Sequence, residues 1–186
     1  MRLKRVFDFI VASVLLVPAS LVIFLAMIAI RVSSPGPAVF SQPRVGRDLR
    51  PFNCYKLRTM HVGTPSLPTH EAAADWVTPV GRVLRRFKLD ELPQLVNVVA
   101  GQMSLVGPRP CLPGQAELIE QRRQRDVFSL RPGITGLAQV RNIDMSDPVR
   151  CAQADAEYLE RMTFGLDLAI LLRTVYRGQD AAALRS

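Results

Sequence analysis

Cysteine is scarce and scattered. The chain has three, Cys54, Cys111 and Cys151, with no CxxC spacing, which argues against a disulfide framework or a cysteine zinc site and for a reducing compartment. Histidine is rarer still. His61 and His70 are the whole set, neither has a partner at metal-ligand spacing, and both read as surface residues. Aromatics make up 6% of the chain and do not alternate with basic residues as base-stacking surfaces do. Acids are outnumbered, 16 Asp+Glu against 24 Lys+Arg, for a formal charge of +8. No Walker or Rossmann glycine spacing appears, nor an internal repeat or low-complexity tract.

What remains is apolar and cationic. Hydrophobic residues are 48% of 186, enough for one domain with a real core. Such a chain with a positive excess suggests a membrane surface, a nucleic acid or phosphorylated substrates. The missing aromatic pattern and an apolar N-terminal run count against nucleic acid. That run, residues 9–30, follows a basic start (Arg2, Lys4, Arg5) and stops at Arg31. At about 1.5 Å per residue it is long enough to span a bilayer. It is too long for a signal peptide and lacks a small-x-small site before Arg31. Basic residues flank it on both sides, which a spanning helix reconciles poorly with the positive-inside rule. Pro18, followed by Ala19-Ser20, sits mid-run, where proline removes a backbone hydrogen bond and kinks a helix. A helix that enters, bends near Pro18 and returns satisfies both facts; a single-pass anchor with a tolerated proline stays open.

Ser33-Ser34-Pro35-Gly36-Pro37 ends that helix. Ala38-Val39-Phe40 and Phe52-Asn53-Cys54-Tyr55-Lys56-Leu57 read as strands of a hairpin around Gly46-Arg47-Asp48. On such a strand Lys56 and Arg58 face one side and can share an anion, or simply make a solvated strand face. Residues 60–78 form a polar loop able to cover a site, and 80–87 a helix carrying Arg82, Arg85 and Arg86. Residues 113–128 read as a charged amphipathic helix without chemistry, and 155–162 and 167–177 as two more helices. The last is apolar enough for either the lipid interface or the core. The chain after Gly178 reads as a disordered tail.

The chemistry concentrates at Arg85-Arg86-Phe87-Lys88-Leu89-Asp90-Glu91-Leu92-Pro93. An adjacent acid pair after a cationic run opens an apolar segment. Set at a helix start, Asp90 and Glu91 meet unpaired N–H groups and a positive dipole end. Neighbouring helical residues point about 100° apart, so one acid can attack a phosphorus while the other holds a metal. An ordinary acidic cap is the competing reading. Gly107-Pro108-Arg109-Pro110 follows, its prolines fixing the backbone so that Arg109 is pre-organised for a phosphate; a rigid turn with an exposed arginine is the equal alternative. Arg131-Pro132-Gly133-Ile134-Thr135-Gly136-Leu137-Ala138-Gln139-Val140 is a second turn-rich stretch, with Thr135 and Gln139 as neutral hydrogen-bonding groups.

With these residues in view, the chain resembles the bacterial monotopic phosphoglycosyl transferases, small polyprenyl-phosphate sugar-1-phosphate transferases. The likeness covers residues 4–177 and rests on motifs in one order. These are Lys4-Arg5-Val6-Phe7-Asp8-Phe9, Ser34-Pro35-Gly36-Pro37, Tyr55-Lys56-Leu57-Arg58-Thr59-Met60, Leu89-Asp90-Glu91-Leu92-Pro93-Gln94, residues 103–110 and residues 131–140. The resemblance implies transfer of a sugar 1-phosphate from a UDP-sugar to undecaprenyl phosphate with release of UMP, the first membrane step of glycoconjugate assembly. Asp90 would be the nucleophile of an aspartyl-phosphosugar intermediate, and Glu91 the ligand of Mg²⁺. Lys56, Arg85 and Arg109 match cations near the dyad or phosphate. Asp155 and Asp167 match further acids that pair with Lys56 or shape the site, and Arg131, Thr135 and Gln139, in the second signature, are expected to bind phosphate or substrate. Two departures stand out: Ser20 is followed by Leu21 instead of proline, and Gln102 replaces a more usual acid.

The expected fold is therefore α+β and predominantly helical. It comprises a membrane-dipping re-entrant helix over 1–32 kinked near Pro18 and Ser20, a small β-hairpin, a catalytic domain over 33–178 with interfacial amphipathic helices, and a tail over 179–186. The expected location is the cytoplasmic face of a bacterial inner membrane, with membrane lipid as a further partner. A membrane-anchored cationic scaffold without catalysis is the alternative.

Overall fold

The apolar run folds as one helix, α1 (Arg2–Ser33), which continues through Pro18. Pro18 has no N–H to give the carbonyl one turn back, and Ser20 Oγ donates to the Val17 carbonyl at 2.6 Å. The buried positions of α1 are Asp8, Ala12, Ala19, Ala26 and Ile30. Three alanines seven apart give a narrow stripe that lets the domain approach closely. Phe7, Val11, Leu16 and Ile23 are partly buried against the core, and much of the rest, including Phe9, Val14, Val17, Leu21, Phe24 and Leu25, is exposed apolar surface. The helix is long and apolar enough to cross a membrane, and its bare faces suit one that dips into lipid.

The computed structural model describes residues 2–64 and 74–183. The predicted hairpin forms: β1 (Val39–Val45) and β2 (Pro51–Leu57) pair antiparallel, Val39 opposite Leu57 and Val45 opposite Pro51. Its turn holds Asp48 and Leu49 at positive φ. Arg58 departs from the expectation that it shares an anion with Lys56. It lies just past β2 and is buried, donating to the Pro35 carbonyl at 2.7 Å and to the Ser34 carbonyl and Oγ at 2.8 and 2.7 Å. It fastens the exit of α1. The loop after it begins at exposed His61 and is closed by a bridge between Met60 and Val77. His70 and much of that loop lie outside the described residues.

Helix α2 (Pro79–Arg86) starts on a Thr78 cap, whose Oγ1 accepts from the Gly81 N–H at 2.9 Å. A tight turn over Leu89–Glu91 leads to α3 (Gln94–Val99). The two turn-rich stretches then do something periodicity did not announce. Within them β3 (Ser104–Val106) and β4 (Gly133–Thr135) pair in parallel, Ser104 with Gly133 and Val106 with Thr135. Between these strands α4 spans only Ala116–Arg123, half the predicted helix, and is followed by a 3₁₀ turn at Val127–Ser129. α5 (Leu137–Val140) and α6 (Pro148–Arg161) come next. α7 runs Phe164–Ala183, so it continues into the stretch read as a disordered tail.

The main core gathers Ala12 and Ala19 of α1, Leu95 and Val98 of α3, Leu105 and Val106 of β3, Tyr158 of α6 and Ile170 of α7. α7 buries Ile170 and Asp167 and exposes Phe164, Leu168, Leu172, Val175 and Tyr176, so it is half core and half bare apolar face. Polar links tie the foot of α1 to this body. Arg5 donates to the Val98 and Val99 carbonyls at 2.5 and 2.8 Å, satisfying the C-terminal end of α3. Buried Asp8 accepts from Ser104 Oγ at 2.7 Å, and Phe7 meets Phe164 edge-on, centroids 4.9 Å apart.

Candidate active site

Lys88 takes a left-handed conformation (φ 54°), which turns the chain sharply after α2 and carries Asp90 and Glu91 inward. Neither acid caps α3, whose N-cap is Pro93 with no side-chain capping bond. The ordinary-cap reading therefore fails on geometry. Glu91 Oε1 instead accepts from Lys56 Nζ at 2.8 Å and from Arg109 Nη2 at 2.7 Å. Asp90 is buried and forms no ion pair within 4 Å among the described residues.

Each cation arrives on a braced element. Lys56 lies on β2, which Asn97 of α3 grips. The fully buried Asn97 side chain accepts from the Tyr55 N–H at 3.1 Å and donates to the Asn53 carbonyl at 2.7 Å. Its amide also donates to Gln102 Oε1 at 2.7 Å, which gives the unusual Gln102 a task. Arg109 sits on a loop whose two prolines have no N–H, so the loop is held through its carbonyls. Pro108 O accepts from the Gly133 N–H at 2.8 Å, Arg109 O from Arg122 Nη1 at 2.8 Å and Pro110 O from Arg44 Nη1 at 3.0 Å. Arg85 Nε donates to Thr59 Oγ1 at 2.9 Å.

The two acids and the three cations Lys56, Arg85 and Arg109 line one pocket of about 800 Å³. Its polar wall carries Asp90, Glu91, Lys56, Arg85 and Arg109, and its apolar wall includes Leu15, Pro18, Ala19 and Val22 of α1. Thr135 and Gln139 complete it with Thr174. Thr135 Oγ1 and Thr174 Oγ1 are 2.7 Å apart. Gln139 Nε2 donates to the Ile134 carbonyl at 3.1 Å, while its Oε1 is buried without a hydrogen bond. One cavity thus joins charged groups suited to phosphates with a surface suited to a lipid chain.

The paired acids ionise differently. Burial and then the neighbouring Glu91 charge push Asp90 up to about 6, with Lys56 and Arg85 opposing. Burial works in the same direction on Glu91, but Arg109 and Lys56 outweigh it and hold that carboxyl well below the usual range. Glu91 in turn raises the pKa of Arg109. At neutral pH Glu91 is locked as a carboxylate, and Asp90 is ionised but destabilised.

Three expected site residues fall elsewhere. Arg131 donates through Nε to the Gly101 carbonyl at 2.8 Å and borders a separate small cavity beside Lys4, Arg5 and Asp8. Asp155 pairs with Arg122, not Lys56, at 2.7 Å. Asp167 accepts from Lys4 Nζ at 2.6 Å and from the Tyr158 hydroxyl at 2.5 Å, anchoring α1 against α6 and α7. Sequence reasoning missed Asn97, Arg122 and Arg44. Arg122 and Asn97 had no local signal, because their partners are distant in sequence.

Among the described residues no group of three or more His, Cys, Asp or Glu side chains is placed to hold a metal. A cation here would draw on Glu91 and take its other ligands from substrate and water.

Residues 1–179 match the family described as bacterial sugar transferase. A UDP-glucose:undecaprenyl-phosphate glucose-1-phosphate transferase of Caulobacter vibrioides is 41% identical over 92% of this chain and 68% of its own length. The Escherichia coli protein of the same name is 37% identical over 95% of this chain but only 40% of its own length. An exopolysaccharide production protein, ExoY, of Rhizobium meliloti is 37% identical over 92% of this chain and 83% of its own length. With that match spanning nearly every residue around the pocket, the chain belongs to the bacterial sugar transferase family.

Proposed function

We propose that this chain transfers a sugar 1-phosphate from a UDP-sugar to undecaprenyl phosphate, releasing UMP, through a covalent intermediate on Asp90. The observation that carries the reading is the single pocket in which Asp90 faces phosphate-binding cations and the apolar side of α1. A water-soluble diphosphate donor and a lipid-borne phosphate acceptor need such a meeting place. The Caulobacter and Escherichia relatives, named for transfer from UDP-glucose, make that sugar the first donor to try.

In the first step an Asp90 carboxylate oxygen attacks the phosphorus that bears the sugar. The bond from that phosphorus to the bridging oxygen breaks, and its electron pair leaves on UMP. In the second, a phosphate oxygen of undecaprenyl phosphate attacks the same phosphorus and Asp90 departs as a carboxylate. Neither step consumes a proton. With a pKa of about 6, Asp90 is already anionic at neutral pH and needs no general base. Arg85 and Arg109 orient and neutralise the phosphates, and Lys56 keeps Glu91 fixed.

Mg²⁺ fits this donor set. Both Glu91 cations bind Oε1, leaving Oε2 for a hard metal ion, which prefers one or two carboxylates together with substrate phosphates. When bound, the ion neutralises phosphate charge. Exposed apolar faces on α1 and α7 suit seating in the cytoplasmic leaflet of the inner membrane, with α1 re-entering near Pro18.

The test is UMP release from a panel of UDP-sugars with undecaprenyl phosphate and Mg²⁺, for native protein and Asp90→Asn, with and without EDTA. Omitting the acceptor and weighing the denatured protein detects the sugar-phosphate adduct. Native activity, loss in Asp90→Asn and an adduct only on native protein are expected. No UMP from any donor would return the scaffold reading.

A further inference from the structure

Arg122 is among the largest fully buried side chains in the molecule and does not line the pocket. Its Nε and Nη2 bind Asp155 Oδ2 at 2.9 and 2.7 Å, and its third nitrogen, Nη1, reaches the Arg109 carbonyl at 2.8 Å. Both partners of the ion pair are 2% exposed. Burying two charges is costly, and an apolar pair of like volume is often no less stable, so stability alone accounts poorly for it. What the pair uniquely supplies is a rigid, charged fork aimed at one backbone atom of the loop that presents Arg109 to Glu91.

We infer that the buried Arg122–Asp155 pair is a positioning device for Arg109, fixing that loop so that the Arg109 guanidinium meets Glu91 and the donor phosphate. The chain of contacts is continuous. Asp155 on α6 fixes the Arg122 fork on α4, the fork holds the Arg109 carbonyl, and Arg109 Nη2 bonds Glu91 Oε1 at 2.7 Å. Arginine is required because its planar guanidinium bonds an acid and a carbonyl at fixed angles at once, which a lysine ammonium on a flexible stem does less well. Small displacements of a positioning group cost about a hundredfold in rate.

The role rests on the proposed transfer reaction, and the experiment separates the two. Arg122→Met/Asp155→Leu removes both charges together, and Arg122→Lys keeps the pair while loosening the carbonyl contact, should the double variant fail to fold. Each is measured in the native and the Arg109→Ala background, at enzyme concentrations that keep slow variants measurable. We expect kcat for UMP release to fall by about ten- to a hundredfold when Arg109 is present. With Arg109→Ala the same changes should cost less than about twofold, because the device has nothing left to position. A readout independent of turnover is the NMR order of the Arg109 Nε–H group in each variant, which should drop at temperatures where the protein is still fully folded. Equal fold-losses in both backgrounds, or an unchanged Arg109 signal, would overturn the inference. If native protein releases no UMP, the transfer reading fails and the Arg109 signal still decides the positioning role.

Discussion

Lys56 Nζ and Arg109 Nη2 converge on one atom, Oε1 of Glu91, at 2.8 and 2.7 Å. Two cations from elements far apart in sequence thus share a single acceptor. Lys56→Met and Arg109→Met should each lower kcat by roughly 10²–10³-fold, the range for removing one preorganised electrostatic contact. Because the two share an acceptor, the double variant should lose much less than the product of the single losses. Steady-state UMP release checks this, and strictly multiplicative losses would show that the two act independently.

Under the proposed mechanism Asp90 trades stability for reactivity. Its pKa of about 6 lies above an ordinary 3.8, so the folded state holds a proton that the unfolded chain has given up. Folding is therefore strongest below about pH 4 on this account and weakens as pH rises through 6, by roughly 3 kcal/mol at about 1.4 kcal/mol per tenfold. Asp90→Asn, neutral throughout, should abolish turnover yet raise the unfolding midpoint at pH 7.5 in EDTA, with little gain at pH 4. Chemical denaturation at the two pH values measures it. A midpoint lowered at pH 7.5 would mean the carboxylate is not strained by burial.

Glu91 titrates in the opposite sense. Its pKa is depressed because Arg109 and Lys56 overcome the effect of burial, so its contribution is present above the unfolded value of about 4.5 and fades as pH falls below it. Glu91→Gln should cost more stability at pH 7 than at pH 3, where the contribution has only begun to fade. Parallel denaturation curves for native and variant protein at those pH values test the sign.

Asn97 makes three hydrogen bonds from a position with no solvent exposure. Asn97→Ala should cost about 2–3 kcal/mol, the scale of leaving buried partners unsatisfied. It should also slow turnover, since β2 then carries Lys56 less firmly. A stable Asn97→Ala enzyme with native kinetics would remove α3 from the support of the site.

Gly133 tolerates no side chain for a reason of packing. A Cβ there would lie 2.1 Å from the Gly107 nitrogen and 2.5 Å from the Thr135 carbonyl oxygen, both backbone atoms that cannot swing away. Gly133→Ala should wedge β3 from β4, displace the Arg109 loop and destabilise the fold by about 3 kcal/mol or more. Thermal unfolding and UMP release should fall together.

The sequence by itself determined what could be written along one dimension. Apolar length made α1, the turn residues around Gly46 made the hairpin, and the acid pair at Asp90-Glu91 marked the candidate site. Prolines flanking Arg109 announced a fixed backbone. Only the tertiary structure decided which charge meets which. Lys56 reaches Glu91 across 35 residues and Lys4 reaches Asp167 across 163, distances at which no periodicity speaks. That is why Asp155 and Asp167, expected to pair with Lys56 or to shape the site, could not be given their actual partners, Arg122 for the first and Lys4 and Tyr158 for the second. It is also why Arg131, alike in its local sequence to a phosphate ligand, ends on the Gly101 carbonyl. Burial decided the ionisation as well: Asp90 and Glu91 are neighbours of like chemistry, and desolvation and the reach of two distant cations separate their pKa values.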